Sequence, residues 1–120
     1  MAPVIRALKE DDRRFEHLVV STAQHRQMLD QIMSVFKMHP DIDLGLMQQD
    51  QSLAGFASRS LLALSDLFAR EKPDCILIQG DTTTVMTAAL AAFYSGVRVG
   101  HVEAGLRSFD RQNPFPEEIN

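Results

Sequence analysis

Residues 75–105 read CILIQGDTTTVMTAALAAFYSGVRVGHVEAG. The run CILIQ has no polar alternation and reads as a buried strand, of the kind that lies inside a parallel sheet. Gly80 permits a tight turn, Thr82 to Thr84 open a helix, and the helix runs to Gly96. A second strand, VRVGHVEAG, follows, with Val97, Val99 and Val102 alternating. Strand, helix and strand in this order are the unit of a parallel α/β sheet.

The same alternation extends toward the N-terminus. APVIRALKE places Val4, Ile5 and Leu8 on one helical face, and HLVVSTA is a compact β-branched run that reads as a strand. Residues 27–37 carry Met28, Leu29, Ile32, Met33 and Phe36 at helical spacing. DIDLGL, after Pro40, reads as a weak strand or an extended loop. Ser52 to Lys72 form the clearest helix, with Leu53, Phe56, Ala57, Leu61, Leu64, Leu67 and Phe68 along one face and Pro73 ending it. At the other end PFPEEIN predicts the start of a further helix, since Pro116 suits a first helical position. The predicted class is α/β, a Rossmann-like parallel sheet with helices on both faces. Such folds open with a strand, whereas this sequence opens with a helix, so a first strand is expected to be missing.

Length and composition narrow the function classes. The 120 residues suffice for one small domain, and 45% apolar with 23% charged residues are globular values. The net charge is −4 and Lys and Arg are scattered, which argues against a nucleic-acid footprint. The single Cys75 excludes an intramolecular disulfide and fits a reduced, cytoplasmic compartment. No apolar run approaches the roughly 20 residues of a membrane helix, so no membrane partner is expected.

In open parallel sheets, ligands bind beyond the carboxyl ends of the strands. Three stretches fall there. TAQHRQM holds Gln24, His25, Arg26 and Gln27, and by itself reads more readily as an ordinary polar loop that caps the next helix. QGDTTT sets Asp81 at the tip of a turn, where it can cap a helix or work on a ligand. The third stretch begins at Glu103, passes the small residues Ala104 and Gly105 and then Arg107, and returns to Glu117 and Glu118 behind two prolines. Glu118 reads as a solvated loop carboxylate. Asp81 and Glu103 hold equivalent positions at two strand ends, on strands expected to be neighbours about 5 Å apart. Two carboxylates so placed, with arginines nearby, can divide the roles of base and acid on a bound polar substrate. His25, His39 and His101 show no metal-ligand spacing, so no metal site is expected, and there is neither a P-loop nor a G-x-S-x-G elbow.

TAQHRQMLDQ, GDTTTVMTAALAAFY and GHVEAGLRS with PFPEEIN together resemble the non-hydrolysing UDP-N-acetylglucosamine 2-epimerases of bacteria, in register over the whole chain. The resemblance implies a glycosyltransferase-B architecture, two Rossmann-like domains facing across a cleft that binds the UDP-sugar. It implies interconversion of UDP-GlcNAc and UDP-ManNAc for cell-envelope polysaccharide biosynthesis. UDP is eliminated to give 2-acetamidoglucal and then added back, with no cofactor. By the same resemblance Asp81, Glu103 and Glu117 are the catalytic carboxylates, and His101 and Arg107 bind substrate. Gln24 and Gln27, from the Q-H-R-Q motif, line a regulatory UDP-GlcNAc site. Asp50 stands near where some members carry a basic residue of that site. A homodimer is implied for the full-length protein.

Against the family pattern, residues 1–120 correspond to a partial N-terminal domain. An opening strand and a G-T-R-P-E loop belong ahead of Met1-Ala2-Pro3, with that strand between HLVVSTA and CILIQ, and the C-terminal domain is absent. The expectation is an inactive fragment. Two alternatives stand beside the non-hydrolysing epimerase: a hydrolysing relative that releases ManNAc and UDP, and a non-catalytic nucleotide-sugar-binding remnant. The H-V-E-A-G-L-R and P-E-E patterns favour the first reading.

Overall fold

A computed structural model describes residues 1–23, 31, 33–103, 105 and 107–120. The chain forms two compact units, Met1–Gln49 and Asp50–Asn120. In the first, α1 spans Ala2–Glu10, and two short parallel strands follow, β1 (Val20–Ser21) and β2 (Ile42–Asp43). The strand expected over HLVVSTA is therefore shorter than predicted, although its pairing extends past the two ladder residues. Asp41 N–H and Ile42 N–H donate to the Val19 carbonyl, and Leu44 N–H and Leu46 N–H donate to Ser21 and Thr22. The Asp41 carboxylate also accepts the Val19 N–H at 2.7 Å. Of the helix expected over 27–37, residues 31 and 33–36 are helical, and Lys37 leaves it at φ 52°; residues 27–30 and 32 lie outside the described residues.

The second unit carries the decisive stretch. Helix α2 spans Leu53–Glu71, strand β3 Cys75–Gln79, helix α3 Thr83–Tyr94 and strand β4 Arg98–Val102. Helix α2 starts where a side chain can replace a missing helical acceptor: Ser52 Oγ accepts the Gly55 N–H at 3.0 Å. It stops at Lys72, which adopts a left-handed φ of 48° just before Pro73. Strands β3 and β4 pair in parallel from Cys75↔Arg98 to Gln79↔Val102, and α3 is the crossover that parallel pairing requires.

The core of this unit lies where α2 packs on α3. Phe56, Leu64, Leu67 and Phe68 come from α2, and Val85, Ala88, Ala91 and Ala92 from α3. The alanines let the two backbones approach closely. One predicted face residue, Leu53, is exposed, whereas Ser60, which hydropathy passes over, is 0% exposed. Its hydroxyl pairs with Thr87 Oγ1 at 2.8 Å, and the Thr87 hydroxyl reaches the Thr83 carbonyl at 2.9 Å. Two buried polar groups thus satisfy each other across the helix pair.

Strand β3 corrects an expectation. It is not buried on both faces: Cys75, Leu77 and Gln79 are exposed and Ile76 and Ile78 half-buried. Helix α3 packs on one face of β3 and β4, and Leu77, on the other, is 42% exposed.

Because Phe56 fills the α2–α3 contact, Phe56→Ala should cost about 3–5 kcal/mol in urea unfolding. Leu62→Ala, on the exposed side of the same helix, should stay within about 0.5 kcal/mol of wild type. Equal losses from both would show that the core lies elsewhere.

Candidate active site

The carboxyl ends of β3 and β4 meet through the backbone. Gly80 N–H donates to the Glu103 carbonyl at 2.8 Å and lies 3.3 Å from the Val102 carbonyl. Gly80 does this at φ 89°, a conformation that side chains rarely tolerate. Asp81 is the next residue and is half-buried. It is not the helix cap: that position belongs to Thr82, which makes no side-chain capping bond. The capping reading of Asp81 therefore fails.

Glu103 itself is exposed and sits at φ 53°. A non-glycine residue in this region is strained, and such strain collects at functional positions. His101 is one residue pair back on β4, opposite Ile78. Its Nε2 lies 2.7 Å from the Gly80 carbonyl. A carbonyl only accepts, so Nε2 carries the proton and the imidazole braces the turn that bears Asp81. Sequence reasoning placed His101 among the substrate contacts; the geometry gives its Nε2 a backbone partner.

The tail closes onto the same edge. In place of the expected helix, residues 114–120 form hydrogen-bonded turns: Glu118 N–H to the Pro114 carbonyl, and Ile119 and Asn120 N–H to that of Pro116. The Asn113–Pro114 and Phe115–Pro116 peptide bonds are cis. Asn120 Nδ2 lies 3.5 Å from Thr83 Oγ1, at the first residue of α3. That contact ties the turn carrying half-buried Glu117 to the helix start beside Asp81. Arg107 Nη1 donates to the Glu118 carbonyl at 3.0 Å. Asp81, Glu103, Glu117, His101 and Arg107 therefore all belong to one end of the second unit. Gln24 and Gln27 of the expected regulatory motif, with His25 and Arg26, lie outside the described residues, as does Ala104. Asp50 adopts φ 54° shortly before the Ser52 cap. No group of three metal-ligating side chains occurs among the described residues.

The model of the UDP-N-acetylglucosamine 2-epimerase family matches residues 6–120. The chain belongs to the UDP-N-acetylglucosamine 2-epimerase family. It is 51% identical over 120 residues to the Salmonella typhimurium UDP-N-acetylglucosamine 2-epimerase, covering all of this chain and 32% of that protein. It is 49% identical to the Bacillus subtilis enzyme, covering all of this chain and 31% of that one. A crystal structure of UDP-GlcNAc 2-epimerase from Neisseria meningitidis bound to UDP-GlcNAc superposes with a TM-score of 0.92 at 47% identity, covering 100% of this chain and 32% of that one. The chain thus spans about a third of the length of the curated relatives it matches.

Within this epimerase-family segment, the residue that sequence reasoning misjudged is Glu118. Expected to be solvated, it is 8% exposed. Its Oε2 accepts the Ser108 N–H at 3.0 Å and its Oε1 the Phe109 N–H at 3.1 Å, with Arg107 Nη1 4.0 Å from Oε1. The Ser108 amide holds the Glu118 carboxyl below its ordinary value; burial opposes this, and the Phe109 amide and Arg107 guanidinium reinforce it. A lone polar letter beside another glutamate gave no sign of partners nine and ten residues upstream.

A carboxyl whose folded value is lowered contributes stability that is present above the unfolded value, about 4.3, and is lost as pH falls through the folded one. The amide chemical shifts of Ser108 and Phe109 should therefore titrate together with a midpoint below the ordinary glutamate value of about 4.3. A common midpoint above that value would show that the two amides do not hold the carboxylate.

Proposed function

We propose that this segment forms the sugar-facing edge of a non-hydrolysing UDP-GlcNAc 2-epimerase, which interconverts UDP-GlcNAc and UDP-ManNAc. The observation that carries the reading is the Gly80–Glu103 backbone bond, because it joins the two strand ends whose residues Asp81 and Glu103 carry carboxylates. Family membership and the likeness to a relative bound to UDP-GlcNAc support the same substrate class.

The reaction needs a base to remove the C2 proton. The electron pair released forms the C1=C2 bond as the C1–O bond to UDP breaks, which leaves 2-acetamidoglucal and UDP. Return of a proton to C2 on the opposite face and re-addition of UDP at C1 complete the epimerisation. Asp81, Glu103 and Glu117 share the base and acid roles, since opposite faces of one carbon need proton carriers on two sides. Arg107, 56% exposed on its side chain, can meet negative charge building on the departing diphosphate. His101 contributes by bracing the Asp81 turn while its ring stands at the substrate edge.

In this reading the 120 residues do not complete the reaction unaided, because the relatives that they match are about three times as long. A cleft with one wall cannot keep water from the glucal intermediate.

In a full-length polypeptide carrying this segment, Asp81→Asn and Glu103→Gln should each lower turnover by about 10²-fold or more. Solvent deuterium should enter C2 of the wild-type product and do so far more slowly in these variants. Undiminished exchange in both would remove them from proton transfer, and free ManNAc as the main product would replace this reading with hydrolysis. For the regulatory motif, the double substitution Gln24→Ala and Gln27→Ala should weaken activation of the UDP-ManNAc reaction by added UDP-GlcNAc more than it lowers the maximal rate. An unchanged activation curve would remove both from that site.

A further inference from the structure

We propose that Glu118 is the positioning residue of the 107–120 loop, holding Arg107 and the adjoining Glu117 at the carboxyl edge of β3 and β4. This deepens the epimerase reading above and rests on it.

A carboxylate withdrawn from water is costly unless hydrogen bonds replace its hydration. Glu118 meets that condition with unusual economy. Each side-chain oxygen takes one backbone N–H, from the consecutive residues Ser108 and Phe109, so two successive amides cradle one anion. Its main-chain carbonyl takes the Arg107 guanidinium. One residue thereby fixes three in a row, across nine to eleven positions of chain.

Among the described residues the loop has few other means of holding that shape. Phe109 is 91% exposed, so no apolar burial anchors it, yet its backbone stands at φ 63°. A strained residue keeps such a conformation only where its surroundings over-determine it, and the bond from its own N–H to Glu118 is the constraint at hand. Upstream contacts are local: the Ser108 hydroxyl donates to the Asn113 carbonyl, Asp110 N–H reaches Ser108 Oγ at 3.1 Å, and Gln112 N–H reaches Asp110 Oδ1 at 3.0 Å. They shape the 108–113 turn without tying it to the 116–120 turn. Glu118 makes that tie, and Asn120 carries it on to Thr83 beside Asp81. Arg107 and Glu117 thus owe their common placement to a residue that faces away from solvent between them.

The test uses Glu118→Ala, which removes both acceptors, and Glu118→Gln, which keeps the length and a single carbonyl acceptor. Amide hydrogen exchange is followed at Ser108 and Phe109, with Ile78 in β3 as reference. Both tail amides should exchange at least about tenfold faster in the alanine variant, and one of them in the glutamine variant, with Ile78 unchanged. In a full-length polypeptide carrying this segment, kcat should fall at least about tenfold while KM changes less than about threefold. Glutamine should recover part of the loss. Unchanged exchange at Ser108 and Phe109 in Glu118→Ala overturns the proposal, and so does faster exchange with undiminished kcat. Failure of the epimerase reading looks different: C2 deuterium exchange would survive Asp81→Asn and Glu103→Gln, whatever the tail amides do.

Discussion

The backbone amide of Gly80 holds the site together. Its bond to the Glu103 carbonyl extends the β3–β4 pairing one step beyond the last ladder pair, Gln79↔Val102. Parallel strands deliver their carboxyl ends to one edge, and this bond keeps that edge closed at the point where side-chain chemistry begins. Only a residue without a Cβ reaches φ 89° at little cost, so Gly80 is what allows Asp81 to follow a turn this tight. His101 adds a second hold on the same peptide by donating to the Gly80 carbonyl. The turn is thus gripped at both its N–H and its C=O.

What keeps the strands paired is the helix crossover. Parallel strands cannot be joined by a hairpin, so α3 must run back along the sheet and must find a surface to bury itself against. It packs on α2 through small residues, Ala88, Ala91 and Ala92, against the larger Phe56, Leu64, Leu67 and Phe68. The Ser60–Thr87 hydrogen bond fixes the register of that contact, since a slip would leave two buried hydroxyls without partners. Its position also matters for the site. Thr87 bonds the carbonyl of Thr83, and Thr83 is where the tail docks through Asn120.

The tail beside the site is closed by different means from this core. Glu103 and Phe109 both hold left-handed backbone without being glycine. The tail is closed by a carboxylate and peptide amides, where apolar side chains such as Phe109 and Phe115 point outward. In a loop built in this way polar groups are paired with one another, and the Glu118 pairing answers to pH in the direction of its lowered carboxyl.

The division between sequence and tertiary structure follows the range of the forces involved. Helices α2 and α3 and strands β3 and β4 were legible because their signals are local: apolar spacing, with Pro73 and Gly96 as stops. The strand-end positions of Asp81 and Glu103 followed from the same signals; the roles of Glu117, His101 and Arg107 came only from the resemblance of whole motifs to a family. Other features depended on contacts that no window of sequence contains. Ser60 is buried because Thr87, 27 residues on, offers it a hydroxyl. Leu77 is exposed because α3 packs on the other face of its strand. Glu118 reads as one more charged letter in a polar tail, and only the folding back of Ser108 and Phe109 makes its burial favourable. A hydrophobic period reports which face of an element seeks cover, but a buried polar group is decided by its partner, and the partner's arrival is a tertiary event.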